Sequence, residues 1–554
     1  MDTKQTCYGI SFDGKAAFPS VDRDIQVREL YGCGETGDLL QYSKYTYQNT
    51  LCRIKLNGTL SREIHEWKGS RQGHIRAAGH FKAYINPCLT VANTSSLGFF
   101  IGPICICAIC VADDTYVLSN NPRNMQGLIN IVGHYGKRYR LEFGAEKTKA
   151  TVTGSKHDMQ YYQDISYWTL YGKNIATSED NEHLGLIVSG INEERKNVDK
   201  NIKSARGALM SLLQNFFAYK CKLSPAVQYH AWQVYIKPVL RSGLAAIPLK
   251  PTHIKPLIQF HHKVLRGILK LSDRSPIVPL YFLLGEIPIE ATLHLDILAL
   301  FWNIWSNHET QAHKVLVYLL KMAEDKSCTW AAHVRSLFIR YKLPDPIKLL
   351  AAAPWPRERW KSHTKISVIS YHEAQLREKA LVNSKLKYLN VQATGLSSSL
   401  HPLLSWVVTT QDANTIRSHI KMLAGDYPCA ENVAKNGKDE PFCKLCKSLN
   451  KYVQPFPIED LAHMLTRCRA TLDTRSHLIP NVYNVVATYY PRNSLLLQAN
   501  DEVMTQFLLD CTSLNLPNDI RLSSTHYGFE AITKQCSYFI SAVHKDRTKQ
   551  LSLL

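Results

Sequence analysis

The stretch Leu97 to Ala112 is almost wholly apolar and runs straight into Asp113-Asp114, after which Thr115-Tyr116-Val117-Leu118 resumes the apolar pattern. Few folds accept that arrangement. A membrane-spanning helix needs about 20 apolar residues. This run is shorter, contains Gly102-Pro103 and is closed by two acids. Gly and Pro together mark a turn, so the stretch reads as buried strands around turns. Val111 to Leu118 reads as a tight hairpin with both acids at its tip. Adjacent carboxylates repel, and divalent cations relieve that repulsion. Cys105, Cys107 and Cys110 lie among Ile104, Ile106, Ala108, Ile109 and Val111. A free cysteine behaves as a small hydrophobe, so core packing is the better reading of these three than metal binding.

The chain has 554 residues, which suggests three or four domains. Its formal charge is +20 and its pI about 9.2. A surplus of Lys and Arg suits a phosphate-bearing polyanion. Met1 to Thr6 are polar and no apolar segment follows, so no secretory signal is read there. Fifteen cysteines, an odd number scattered over a long chain, argue against a disulfide framework and for a reducing compartment.

Turn signals recur through residues 1–190: Gly32-Cys33-Gly34, Asn57-Gly58, Asn120-Asn121-Pro122 and Tyr135-Gly136. From about 191 to 425 the periodicity is helical. Asn197–Tyr219 and His253–Leu271 each place apolar residues on one face. Pro344, Pro346, Pro354 and Pro356 mark a break before a helix over His372–Asn383, and Ser397-Ser398-Ser399 marks a loop. The sequence divides at 1–190, 191–310, 311–425 and 426–554.

The acid pair has companions. Asp13 ends a short apolar strand and Phe18 follows five residues later. Gly69-Ser70-Arg71-Gln72-Gly73 precedes a helical run through Phe81 and Tyr84. Phe143 to Lys149 and then His183-Leu184-Gly185-Leu186 follow the pair. In this order and spacing the set resembles the reverse transcriptase of LINE-type (non-LTR) retrotransposons. Asp13 matches motif A, Arg71-Gln72-Gly73 the motif B turn, and Val111-Ala112-Asp113-Asp114 the [Tyr/Phe]-x-Asp-Asp box of motif C. Lys147 matches the motif D lysine and His183-Leu184-Gly185 the motif E hairpin. Two departures stand out: Val111 occupies the aromatic position, and Pro19 stands where many relatives have a second Asp.

The resemblance implies an α+β fold: a polymerase palm (a ferredoxin-like antiparallel sheet with helices) over 1–190. A helical thumb over 191–310, a helical connector over 311–425 and a small zinc-bearing C-terminal region would follow. It implies RNA-directed DNA synthesis from dNTPs on an RNA template, primed at nicked target DNA, in the nucleus and without a membrane. Two Mg²⁺ ions would sit on Asp13 and Asp113, with Asp114 in support. Phe18 would be the steric gate against a ribose 2′-OH. Arg71, Gln72 and Gly73 would approach nucleotide and template, and Lys147 would donate a proton or positive charge to the departing pyrophosphate. Only twelve residues precede Asp13, so fingers and an upstream endonuclease have no room. The sequence reads as an N-terminally truncated copy.

Near the C-terminus, Cys443-x2-Cys446-x16-His463-x4-Cys468 has the spacing of a four-ligand zinc site, with Glu459–Leu465 as the helix that presents His463. Four protein ligands close the shell, so the role is structural. Cys429 and His477 are alternative ligands. The cluster resembles the CCHC knuckle that follows the polymerase in LINE-type proteins. Lys444, Lys447, Lys451, Arg467, Arg469 and Arg475, with Tyr452 and Phe456, form a basic and aromatic surround suited to phosphate and unpaired bases. The tail His544–Gln550 adds charge. Two other readings remain open on sequence: a nucleic-acid-binding remnant without chemistry, and an unrelated zinc-stabilised interaction protein.

Overall fold

The computed structural model describes residues 5–48, 50–71, 73–163, 165, 167–212, 223–322, 329–392, 394–434, 440–449, 455–489, 500–513 and 525–554. The fold is mixed α+β and divides into two compact units. The first holds residues 1–197, 301–336 and 344–354, the second 198–300, 337–343 and 355–554.

The first unit is organised by β1 (Cys7–Phe12), β2 (Ala108–Val111), β3 (Asp114–Ser119), β4 (Lys149–Thr153) and β5 (Ala176–Thr177). Their order across the sheet is β5-β4-β1-β3-β2, antiparallel except for the β4–β5 pair. The central strand alternates as a one-sided strand does. Tyr8, Ile10 and Phe12 enter the core with Val117, Ala150 and Val152. Helices α1 (Ala77–Thr94) and α2 (Pro122–Arg138) supply Phe81, Tyr84, Ile85, Met125, Leu128, Ile129 and Val132 to that core. The start of α2 follows from sequence chemistry. Asn121 accepts from the amides of Arg123 and Asn124, and Pro122 occupies the first turn where no amide is needed. On β1, Gly9 permits a close approach: a Cβ there would lie 2.1 Å from the Tyr116 hydroxyl.

The apolar stretch forms a hairpin, Phe99–Ile101 with Ile104–Ile106, turning at Gly102-Pro103, and then β2. Cys107 is fully buried, and Cys105 and Cys110 pack half-buried against the core. All thirteen described cysteines are free. No helix among the described residues is long and apolar enough to cross a membrane.

The second unit is helical. It contains most of α3 (Glu193–Leu212), then α4 (Pro225–Ala231), α5 (Pro251–Leu269) and α6 (Val278–Leu284). Further along come α7 (Arg357–Leu381), α8 (Leu472–Tyr489) and α9 (Thr525–Leu551). The helix read from sequence over Asn197–Tyr219 is described to Leu212, and residues 213–222 lie outside the described residues. The helix expected over His372–Asn383 starts much earlier, at Arg357. Pro354 and Pro356 end the preceding segment, and Trp360, Thr364, Val368, His372 and Leu376 form one buried stripe at four-residue spacing.

Candidate functional site

The register of the central sheet carries two acidic segments to one end. Phe12 pairs with Thr115, so Asp13 and Asp114 are the next residues along β1 and β3. Val111 pairs with Asp114, leaving Ala112 and Asp113 as a two-residue hairpin turn, with Ala112 at φ 57°. A Cβ placed on buried Gly14 would lie 3.8 Å from the Asp113 Cβ, so Asp113 stands directly over the chain that leaves β1.

Residues 142–147 close this end. Lys15 N–H donates to the Glu142 carbonyl at 2.8 Å and Gly144 N–H to the Asp13 carbonyl at 3.2 Å. The Lys15 ammonium pairs with Glu142 at 2.9 Å and Glu146 at 3.4 Å. Lys147 Nζ lies 3.0 Å from Asp13 Oδ2, with the two side chains 66% and 39% exposed. Among the described residues, Asp13, Asp113 and Asp114 do not form a set whose ligand atoms all lie within 4.8 Å of one another. The Lys147 ammonium is the cationic partner of Asp13.

Phe18 stacks on Phe81, with ring centroids 4.6 Å apart and planes at 18°. Gly69 and Ser70 dock on the same segment. Gly69 N–H donates to the Val21 carbonyl at 2.7 Å and Ser70 N–H to the Phe18 carbonyl at 2.8 Å. Gly69, at φ 97°, passes so close that a Cβ would lie 2.9 Å from the Pro19 carbonyl oxygen. Arg71 and Gly73 are exposed. Gln72 lies outside the described residues.

Sequence reasoning missed Arg23. Its guanidinium donates to the carbonyls of Tyr47, Glu66, Lys68 and Gly69 and to Thr50 Oγ1. It thereby ties the 47–69 segment to the turn. Its partners are mostly backbone oxygens, which leave no signal in side-chain identity. Tyr47 hydroxyl links Ser70 Oγ at 3.1 Å to His80 Nδ1 at 2.8 Å behind the same turn.

The second cluster is tighter. Cys443 Sγ is 4.0 Å and Cys446 Sγ 3.8 Å from Cys468 Sγ, and Cys446 Sγ is 3.5 Å from His463 Nε2. All four ligand atoms lie within 4.8 Å of one another. Two thiolates each ~2.3 Å from a tetrahedral ion would stand about 3.8 Å apart, so the set is sized for one metal. Cys429 and His477 are outside it.

Backbone pairing builds the cluster. Cys443 N–H donates to Pro457 O at 2.9 Å and Glu459 N–H to Pro441 O at 2.8 Å. The helix expected over Glu459–Leu465 instead runs from Leu461 and becomes a π turn over His463–Arg467. Cys468 N–H donates to His463 O at 2.7 Å. That i→i+5 bond brings two ligands five residues apart together.

The Cys443 thiol and the His463 ring hold Cys468 well below the usual thiol range, against the push of burial. Hydrogen bonding to Cys468 and burial push Cys443 up, and burial does the same to Cys446. A divalent cation at the centre lets all three ionise.

Two parts of the expected basic surround are used internally. Arg475 is buried and donates to the carbonyls of Thr466 and Cys468, satisfying the end of the π turn. In α9, His544 meets the Tyr427 hydroxyl and Arg547 pairs with buried Glu459, while Lys545 and Lys549, four apart, face outward. Lys444, Lys447, Arg467 and Arg469 are exposed. Lys447 lies over the Phe456 ring at 5.5 Å. Lys451 and Tyr452 lie outside the described residues.

A small antiparallel sheet with helices and an end bearing acids from neighbouring strands suits a nucleotidyltransferase. Residues 1–188 match the family model described as Reverse transcriptase (RNA-dependent DNA polymerase). The match spans the whole five-stranded sheet, both acidic segments and the 69–73 turn, and supports a reverse transcriptase domain in that part of the chain. No curated protein matches the sequence.

Proposed function

We propose that the chain is the RNA-directed DNA polymerase of a non-LTR retrotransposon. In this reading residues 1–190 form the palm and 191–310 the thumb, 311–425 is a connector, and 426–554 is a zinc-bearing nucleic-acid-binding region that acts in the nucleus. The observation that carries the reading is the register that sets Asp13 beside Asp113 and Asp114, within a segment matching the reverse transcriptase family.

The donor set fits a hard cation. Carboxylate oxygens are its preferred ligands, and the acids come from two neighbouring strands. Asp13 already carries a cationic partner in Lys147. Two bound Mg²⁺ would stabilise charge on the attacking and leaving oxygens. Asp13 and Asp113 would hold them, with Asp114 in support. The primer 3′-oxygen forms a bond to the α-phosphorus of a dNTP as the bond to pyrophosphate breaks. Lys147, released from Asp13, supplies a proton or positive charge to that pyrophosphate. The Phe18 ring, fixed by its stack on Phe81, bounds the sugar site. Arg71, Gln72 and Gly73 approach the nucleotide and template. Cys443, Cys446, His463 and Cys468 hold a structural Zn²⁺, a role consistent with four protein ligands and burial.

The test is primer extension on an RNA template with dNTPs and Mg²⁺, beside Asp113→Asn. Extension that drops by about 100-fold or more in the variant supports the reading, because a metal-held carboxylate stabilises several kcal/mol of transition-state charge. Salt-sensitive duplex binding with no extension favours a second reading, a binding protein without chemistry. The Lys147–Asp13 pair and the unconverged carboxylates are what favour it.

A further inference from the structure

His308 and His313 take no part in the polymerase reading, and both belong to the first unit. His308 lies on the turn that follows the helix Ile289–Trp305, and His313 in the first turn of the helix Gln311–Met322. His308 Nδ1 faces His313 Nε2 at 3.2 Å, with ring centroids 4.9 Å apart and planes at 76°. The turn between them is tied down. The Thr310 N–H and hydroxyl both donate to the Asn307 carbonyl, at 3.1 and 2.7 Å, and His313 N–H donates to Thr310 Oγ1 at 3.2 Å.

Two distances separate a hydrogen bond from a shared ion. A straight N–H···N bond of this length would set the ring centres about 5.5 Å apart, because each centre lies roughly 1.2 Å behind its nitrogen. Two imidazole nitrogens each ~2.1 Å from one ion, about 100° apart, stand roughly 3.2 Å from each other, with ring centres about 5.0 Å apart. The observed 3.2 and 4.9 Å match the second arrangement. The rings are bent toward each other as they are when two lone pairs converge on one point. Among the described residues no third His, Cys, Asp or Glu ligand atom lies within 4.8 Å of both nitrogens, so the remaining positions around that point fall to water.

We propose that His308 and His313 together bind one divalent transition-metal ion of the zinc, nickel and copper class, with water completing its shell. Imidazole nitrogen suits these ions, whereas Mg²⁺ and Ca²⁺ want oxygen. No carboxylate converges here among the described residues, so the site differs in chemistry from the aspartates of the sheet. The Leu350 carbonyl accepts from the His313 ring, and an outer acceptor of this kind holds a ligating imidazole in place. Burial, and then the neighbouring His308, hold His313 below the usual histidine range. That favours the neutral ring a metal requires. The ion clamps the 308–313 turn, and through Leu350 it braces the segment Pro346–Leu350 of the same unit.

The experiment uses the full chain, its Cys–His cluster supplied with one equivalent of Zn²⁺, in a buffer containing Mg²⁺. The probe is Ni²⁺. Diethyl pyrocarbonate modifies imidazoles that carry no metal, and mass spectrometry locates each modified histidine. Saturable Ni²⁺ binding is expected to protect His308 and His313 at the same concentration. Added Zn²⁺ should displace the Ni²⁺, and excess Mg²⁺ should not. His308→Ala should weaken the protection of His313 by about 10-fold or more, since losing a ligand costs at least as much as losing an outer partner. His308 is exposed, so the variant should keep its melting temperature in the absence of Ni²⁺. His308 that stays as reactive with Ni²⁺ as without it overturns the proposal. So does protection of His313 that is undiminished in His308→Ala, or protection confined to other histidines, which is adventitious binding. Asp113→Asn has no bearing on this result, so a silent polymerase leaves it standing.

Discussion

Gly9 and Tyr116 illustrate how one absent side chain positions a site. Tyr116 pairs with Ser11 across β1 and β3, and its hydroxyl reaches diagonally to where a Cβ on residue 9 would be, 2.1 Å away. The Tyr116 ring also packs at 5.0 Å from the His183 ring of the following hairpin. Gly9→Ala must displace a buried ring. It is expected to cost ~1–3 kcal/mol, as overpacking does, read as a fall in the midpoint of chemical unfolding. Because β1 delivers Asp13, the same variant should lower primer extension, whereas a change at exposed Ile109 on the outermost strand should leave both nearly unaltered. An unchanged midpoint in Gly9→Ala would mean that Tyr116 moves aside freely and that β1 is not fixed by this contact.

At the scale of elements, the second unit is held by a polar centre that no spacing announces. Glu286, fully buried, pairs with Lys237 at 2.9 Å, His261 Nε2 at 3.0 Å and the Tyr229 hydroxyl at 2.7 Å. Burial alone would push its carboxyl up, but the His261 hydrogen bond and the Lys237 charge outweigh it and hold it at about 2. Burial pushes His261 and His262 down, His262 to about 4. All these folded values lie below the unfolded ones, so each group contributes stability at neutral pH that is lost on acidification. The histidine share fades as pH falls below about 6.5 and the Glu286 share between about 4.5 and 2. Urea midpoints measured from pH 7 to 3 should fall in that order. Glu286→Gln leaves Lys237 buried and uncompensated and should cost about 3–5 kcal/mol at pH 7, while flattening the lower part of the profile.

The Cys–His cluster makes the opposite case. Its four members were legible because their spacing carries the signal. The π turn was not, because nothing in Ala462–Arg467 distinguishes an i→i+5 turn from an α-helix until Cys468 must meet His463. The structure also uses Arg475 to hold that turn, although sequence placed it among phosphate-facing residues. A zinc-selective chelating agent used in the presence of Mg²⁺, or Cys468→Ser, should release the 441–475 segment to rapid proteolysis while extension activity survives in part. Equal protease resistance with and without the chelator would exclude a structural metal.

For the molecule as a whole, local and distant information separate cleanly. The hairpin at Val111–Leu118 and the α5 stripe lie in short windows, and there the pattern suffices. The approach of Asp113 to Gly14, the docking of Gly69 on Pro19 and the partners of Glu286 join residues far apart in sequence, and spacing carries no trace of them. Net charge is a property of the entire chain, and its consequence is tested at that scale. With +20 formal charges and exposed Lys444, Lys447, Arg467, Arg469, Lys545 and Lys549 in the C-terminal region, binding to an RNA–DNA duplex should displace condensed counterions. Six to ten phosphate contacts would lower affinity by roughly 10³–10⁵ between 50 and 200 mM salt. Lys545→Ala/Lys549→Ala should reduce the logarithmic salt slope by up to about 2, without moving the melting temperature, because each lost phosphate contact removes nearly one unit. Removing Arg475 instead should lower stability and leave the slope of the remaining folded protein alone. A slope unaffected by the exposed lysines would assign the polyanion contacts to other basic residues and leave the C-terminal region a structural element.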